Sequence, residues 1–215
     1  MRWYSPSALA LVLANLVPLY GVVFGRWSVL GLLALFWLEV ILVGLLGVLR
    51  MLIADPSNDS LRGGKIVWVP YFCILFGMSV VGLGIMMHSF FGHLEGVMPF
   101  DGGVLPVAAT VRLLGKLGAW PALASLVASH VFSFFWNYLG HGEFRHAKLT
   151  DLMWEANSRA FILFFSLFFG ALFMGLGSPV WGLAILVGFK TWLDLAAHLK
   201  AHRATAQVAG PPYTT

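Results

Sequence analysis

Long apolar stretches alternate with short polar connections along this chain, a pattern typical of proteins that cross a membrane several times. A membrane-spanning helix needs about 20 predominantly apolar residues, with a range of roughly 17–25. Six stretches are long enough to cross a membrane: Ala8 to Phe24, Val29 to Ile53, Ile66 to Phe91, Ala119 to Leu139, Ala160 to Leu176 and Val180 to Leu199. The pattern therefore predicts an all-α transmembrane bundle of about six helices.

The first apolar stretch shares a basic start and a short apolar centre with secretory signal segments. We interpret it as an uncleaved helix, because Pro18 lies late within it and no small-x-small cleavage site follows. A polar turn from Asp55 to Lys65 separates the second and third stretches, and Gly175 to Pro179 joins the last two tightly. We predict one membrane domain over residues 1–203 and a cytoplasmic tail over residues 204–215.

Composition strengthens this interpretation and excludes an ordinary soluble domain. Hydrophobic residues make up 60% of the chain and charged residues only 10%, whereas soluble domains are about one quarter charged. The net charge of +4 does not indicate a nucleic-acid partner, because the basic residues lie at the ends of the apolar stretches. The expected partner is the lipid bilayer.

The basic residues also predict orientation, since Lys and Arg in short loops are retained on the cytoplasmic side. One side holds Arg2, Arg50, Arg62, Lys65, Arg145, Lys148, Arg159, Lys200 and Arg203. The opposite side holds Arg26, Arg112 and Lys116. Both termini are therefore predicted to be cytoplasmic, in a multi-pass protein of the inner (plasma) membrane.

Two further features concern surfaces. The segment Val107 to Leu117 is weakly amphipathic and is predicted to lie on the membrane interface. Gly21 and Gly25 in the first stretch, with further glycines near the end of the fifth, allow close helix approach. They predict self-association into a homo-oligomer, although the same glycines also suit packing within one chain.

Ionisable residues inside apolar stretches carry the functional signal. A charge at the bilayer centre costs about 2.5–3.5 kcal/mol on insertion scales, so such groups usually face a bundle interior and find partners there. The candidates are Glu39, His130, Lys190, Asp194 and His198. Three of them, Glu39, His130 and Lys190, share a predicted depth of roughly 16 Å from the outer helix end, at about 1.5 Å per residue.

Helical spacing places these groups on single polar faces. Glu39 and Arg50 return to nearly the same face after eleven residues, as do His130 and Asn137 after seven. On the sixth helix, polar residues recur every four positions at Lys190, Asp194 and His198. We predict a substrate-binding site or polar network that includes Lys190, Asn137, Arg50 and His88.

One chemistry that fits these residues is a metal site. A carboxylate and an imidazole one turn apart can bind one divalent transition metal ion, so Asp194 and His198, completed by His130, are predicted ligands, with zinc favoured over copper. Glu39 would then be the catalytic base. Copper is the weaker alternative at Met86-Met87-His88, because sulfur and imidazole form a copper-like ligand set.

The alternative is structural. Lys190 and Asp194 can neutralise each other within one helix, and His130 and Asn137 can hydrogen-bond between helices. Under this interpretation the chain is a small transporter or a non-catalytic membrane assembly subunit.

Several of these residues also carry a family resemblance. They are Phe36-Trp37-Leu38-Glu39 with Gly44 and Val48-Leu49-Arg50-Met51, then His88, Ser129-His130, Ser133-Phe134 and Asn137, and finally Lys190, Asp194 and His198. This arrangement resembles an uncharacterised prokaryotic family of small polytopic membrane proteins with a domain of unknown function. The resemblance implies the fold and membrane residence, and implies no activity.

Overall fold

The fold is built from helices throughout the residues described in the computed structural model, which are 28–55, 64–92 and 106–175 with Gly188 and Trp192. The α-helices of these ranges are α1 (Val29–Ile53), α2 (Gly64–Met87), α3 (Val107–Lys116), α4 (Trp120–Ser133) and α5 (Leu149–Gly175). Wider π-helical turns extend two of them, His88–Gly92 after α2 and Phe134–Gly140 after α4. The prediction of an all-α chain is confirmed for this part of the protein.

Four of the helical segments are long and apolar enough to cross a membrane: Val29–Ile53, Gly64–Gly92, Trp120–Gly140 and Leu149–Leu172. They correspond to the second, third, fourth and fifth predicted stretches. The first and sixth stretches lie outside the described residues, so a total of six spans stays a prediction.

Helix α1 is the centre of the bundle and packs against α2, α3, α4 and α5. Its buried side chains include an unbroken series from Leu30 to Trp37. Ser28 caps the N-terminus, where its hydroxyl accepts a hydrogen bond from the Gly31 amide at 3.0 Å. At the other end the Lys65 ammonium donates to the carbonyl oxygens of Leu52 and Ala54, which satisfies carbonyls that a helix end leaves unpaired.

Helices α1 and α2 are antiparallel and approach closely at two glycines. Gly44 of α1 faces the ring of Phe76, and Gly84 of α2 faces the indole of Trp37. The Trp37 indole nitrogen donates to the Val80 carbonyl oxygen at 2.9 Å. A buried indole needs such a partner, so this bond fixes the large side chain against α2.

Helix α5 begins eleven residues before the predicted start at Ala160. The sequence between Leu149 and Arg159 is polar enough to end an apolar stretch, but its apolar residues keep helical spacing. The buried stripe of α5 consists of Leu149, Leu152, Ala156, Ala160, Leu163 and Leu167. Because this stripe packs on α1, tertiary burial extends the helix beyond its apolar part.

Much of the outward surface is apolar. Large exposed side chains occur on every predicted span that the structure describes, for example Ile66 on α2, Phe132 on α4 and Phe161 on α5. Large apolar side chains exposed on each of these helices are compatible with contact between the helices and lipid.

Candidate functional site: a buried Glu–Arg–His centre

The functional candidate in the described part of the chain is a charged cluster between three helices. Glu39 of α1 is buried, and its Oε1 accepts a hydrogen bond from Arg159 Nη1 of α5 at 2.8 Å. His130 Nε2 of α4 lies 3.5 Å from the same oxygen. The first contact is a short charge-assisted bond, whereas the second is at the outer limit of a hydrogen bond.

All three residues lie near the middle of their helices. Glu39 is the eleventh residue of the 25-residue α1, and Arg159 is the eleventh of the 27-residue α5. His130 is the eleventh residue of the 21-residue span Trp120–Gly140. The structure therefore brings together Glu39 and His130, whose shared depth the sequence indicated, and adds Arg159.

The pairing accounts for a buried charge in an apolar bundle. A carboxylate taken out of water is strongly destabilising unless an opposite charge and hydrogen bonds compensate it. Arg159 supplies both, because guanidinium stays protonated and presents several donors. The Glu39–Arg159 pair is thus close to neutral as a unit, with the Glu39 side chain 9% exposed and the Arg159 side chain 27% exposed.

Arg50 belongs to a second charged cluster at the end of α1. Its Nη1 lies 3.1 Å from both carboxylate oxygens of Glu155, and its guanidinium stacks over the Tyr138 ring at 5.5 Å. The Tyr138 hydroxyl donates to the Arg50 carbonyl oxygen at 2.7 Å. Arg50 and Glu39 share one helix face as predicted from their spacing, but each has its own partner on α5.

Asn137 does not join the Glu39 cluster. Its side chain is exposed, and its amide nitrogen donates to the Ser133 hydroxyl at 3.2 Å. The predicted common face of His130 and Asn137 assumed a regular α-helix of about 100° per residue. Phe134–Gly140 instead forms π-helical turns, which are wider than α-helical turns, so Asn137 is rotated away from that face.

His88 occupies a separate site between α2 and α3, in the π-helical turn that follows α2. It is fully buried, with Nδ1 3.1 Å from the Gly84 carbonyl oxygen and Nε2 3.4 Å from the Thr110 hydroxyl. That hydroxyl donates to the Pro106 carbonyl oxygen at 2.8 Å. His88 therefore ties α3 to α2, one turn beyond the contact between Gly84 and Trp37.

The metal hypothesis rests partly on residues that the structure does not describe. Asp194, His198 and Lys190 lie outside the described ranges. Within those ranges no group of three or more His, Cys, Asp or Glu side chains is close enough to hold a metal ion. Glu39 and His130 are the two predicted site residues that the structure places side by side.

Arg159, which pairs with the buried Glu39, and Glu155, the exposed partner of Arg50, are the site residues that sequence reasoning missed. The apolar pattern predicts a cytoplasmic loop at Arg159, because the fifth apolar stretch starts at Ala160. The available signal was the helical spacing of Leu152 and Ala156, which continues through the polar segment. Glu155 and Arg159, four residues apart, then project from α5 as complements to Arg50 and Glu39.

Comparison with known proteins agrees with the predicted resemblance at the level of an uncharacterised family. The sequence model of a family of unknown function, DUF6498, matches residues 2–210, nearly the whole chain. No curated protein and no solved structure matches. The chain therefore belongs to the DUF6498 family of unknown function.

Proposed function

We propose that this chain is a multi-pass protein of the inner membrane with a non-catalytic role, a membrane assembly subunit or a small transporter, in which buried charges hold the helices in register. The lipid bilayer surrounds six helices, and both termini are cytoplasmic. The four apolar helices and the unequal distribution of basic residues support this arrangement.

The observation that carries the proposal is the 2.8 Å bond between Arg159 and Glu39. A general base must reach the proton that it removes, but the Glu39 oxygen nearest to His130 already accepts a hydrogen bond from Arg159. A divalent cation bound to that oxygen would also be repelled by the guanidinium, since like charges at a few ångströms interact strongly in a low-dielectric interior. The geometry thus favours a structural role for Glu39.

A metal-dependent intramembrane enzyme is the second candidate, and the contact between Glu39 and His130 at 3.5 Å favours it. In this alternative Asp194, His198 and His130 bind a divalent ion, zinc in preference to copper. The ion would lower the pKa of a bound water, with Glu39 as the base after its release from Arg159.

Leucine substitutions at the ion pair test the structural role. We expect Glu39→Leu and Arg159→Leu each to lower the free energy of unfolding by about 3–5 kcal/mol, because each removes one member of an ion pair inside the bundle and leaves the opposite charge there. The double variant should regain most of the lost stability, since an apolar pair needs no compensation. Intrinsic tryptophan fluorescence during thermal unfolding in a mild detergent provides the measurement.

The matched control is Glu155→Leu, which removes a carboxylate whose side chain is 47% exposed. This change should cost about 1 kcal/mol or less, as expected of a solvent-accessible ion pair. Elemental analysis of the purified protein accompanies the series. Stoichiometric zinc that is lost in His130→Ala, together with no recovery in the double leucine variant, would favour the enzyme instead.

A further inference from the structure

A small cavity lies between α1 and α5, next to the Glu39–Arg159 pair. Phe36 and Val40 of α1 and Ile162 and Leu163 of α5 form its apolar walls. The ion pair contributes polar surface, and Ser166 lines the cavity as well. A space with apolar walls and a few converging polar groups is the usual form of a small-ligand site.

Ser166 provides an independent observation. Its residue is 3% exposed, and it lines the cavity together with Arg159. A buried hydroxyl is stable only with a hydrogen-bond partner, and a water in the cavity can be that partner.

The size of the cavity restricts its occupant. The centres of water-sized molecules can occupy about 20 Å³, and one water needs roughly 10–15 Å³ on this measure. The space therefore suits one or two waters, whereas an organic solute is too large for it. Water also matches the chemistry, because it can donate to a carboxylate and either donate to or accept from a hydroxyl.

We propose that this cavity is a hydration site at mid-membrane depth, in which one or two waters connect the Ser166 hydroxyl to the Glu39–Arg159 pair. Water inside a bilayer requires polar partners on the protein, and the ion pair and Ser166 supply them. The inference goes beyond the structural role of the ion pair, because that role requires no water.

Silver-ion accessibility of a cysteine at position 166 tests the proposal in the full-length protein. Cys73 is first replaced by serine, and Ser166→Cys is then compared with Leu167→Cys. Leu167 is the adjacent residue, equally buried at 2% exposure, and is not part of the cavity lining. Silver reacts with thiolate, which forms only in contact with water, so Ser166→Cys should be blocked at least about tenfold faster than Leu167→Cys.

The readout is the thiol that remains for maleimide labelling after denaturation. Equally slow reaction at both positions would show a dry cavity and overturn the proposal. Equally fast reaction would also overturn it, because the whole helix rather than one site would then be wet. Ile162→Cys, at a second cavity position, should react with silver as fast as Ser166→Cys. It provides the same test if the Ser166→Cys variant folds poorly.

Discussion

At the scale of single residues, the contact between α1 and α2 depends on the absence of two side chains. A Cβ atom at Gly84 would lie 2.7 Å from the Trp37 indole, and one at Gly44 would overlap the Phe76 ring. Protein interiors are packed to near-crystalline density, so neither ring has free space to move into. These glycines set the distance between the two helices.

Alanine substitutions at glycines of α2 test this. Gly84→Ala should lower the free energy of unfolding by about 1–3 kcal/mol, the usual cost of overpacking. Gly77 and Gly82 lie on the same helix, where an added Cβ would meet no atom of the described residues within 4 Å. Alanine there should raise the free energy of unfolding by about 0.5–1 kcal/mol, because glycine disfavours helix interiors. Thermal unfolding of the three variants is the measurement. Equal changes in stability at all three positions would contradict the packing argument.

At the residue scale, the sequence singles out ionisable residues that stand alone in an apolar stretch. Glu39 and His130 are two of them, and the structure places their side chains 3.5 Å apart. The sequence does not single out Arg159, because a basic residue next to an apolar stretch also marks a cytoplasmic loop. Only the packing of α5 against α1 distinguishes the two roles, and that packing is a tertiary property.

At the scale of elements, two ion pairs join α1 to α5, and each helix contributes the acid to one pair and the base to the other. α1 contributes an acid at Glu39 and a base at Arg50, whereas α5 contributes the base Arg159 and the acid Glu155. Opposite charges must meet in both pairs, so an inverted α5 or a slipped register would set like charges together. The arrangement therefore specifies antiparallel packing as well as stabilising it.

A disulfide between α1 and α5 provides the corresponding test. A Cβ atom at Gly47 would lie 3.7 Å from the Cβ of Ala156, within the roughly 3.5–4.5 Å that a disulfide requires. In a Cys73→Ser background, Gly47→Cys with Ala156→Cys should oxidise readily and lose both free thiols. Gly77→Cys with Ala156→Cys is the control, and a disulfide in this pair but not in the first would contradict the packing of α1 against α5.

The sequence predicted some elements better than others. Hydropathy reproduced Val29–Ile53 at both ends, because polar residues flank that helix on each side. It placed the start of α5 too late, since burial of Leu149, Leu152 and Ala156 rather than lipid contact forms its first turns. It also gave no sign of the π-helical turns after α2 and α4, which depend on local packing.

At the scale of the whole molecule, the described helices place basic residues unequally at the two ends of the bundle. Lys65 bonds the last carbonyls of α1, and the Asp55 amide donates to the Phe144 carbonyl oxygen at 2.9 Å. These contacts put Arg50, Lys65, Arg145 and Lys148 at one end. The α3 helix, with exposed Arg112 and Lys116, packs near Gly31 at the other end through Leu117.

This asymmetry supports the proposed orientation, because the end with more Lys and Arg in short loops stays cytoplasmic. Glu143 and Lys116 are exposed residues at opposite ends and form a matched pair for labelling. With Cys73 replaced by serine, an impermeant maleimide applied to intact cells should label Lys116→Cys and leave Glu143→Cys unmodified. Cysteine at Asp101 should behave like the first position, and cysteine at Asp59 or Thr215 like the second.

Permeabilised cells supply the control for this topology experiment, since all five positions should then react. Labelling of Glu143→Cys from outside, with Lys116→Cys protected, would invert the orientation. Labelling of Thr215→Cys from outside with Glu143→Cys protected would instead keep the orientation of the described helices and contradict the cytoplasmic C-terminus. Of the four apolar helices of the described bundle, only Leu149–Leu172 follows Glu143. Labelling of Thr215→Cys from outside would mean an odd number of crossings after Glu143, so the prediction of six spans with two cytoplasmic termini would be wrong.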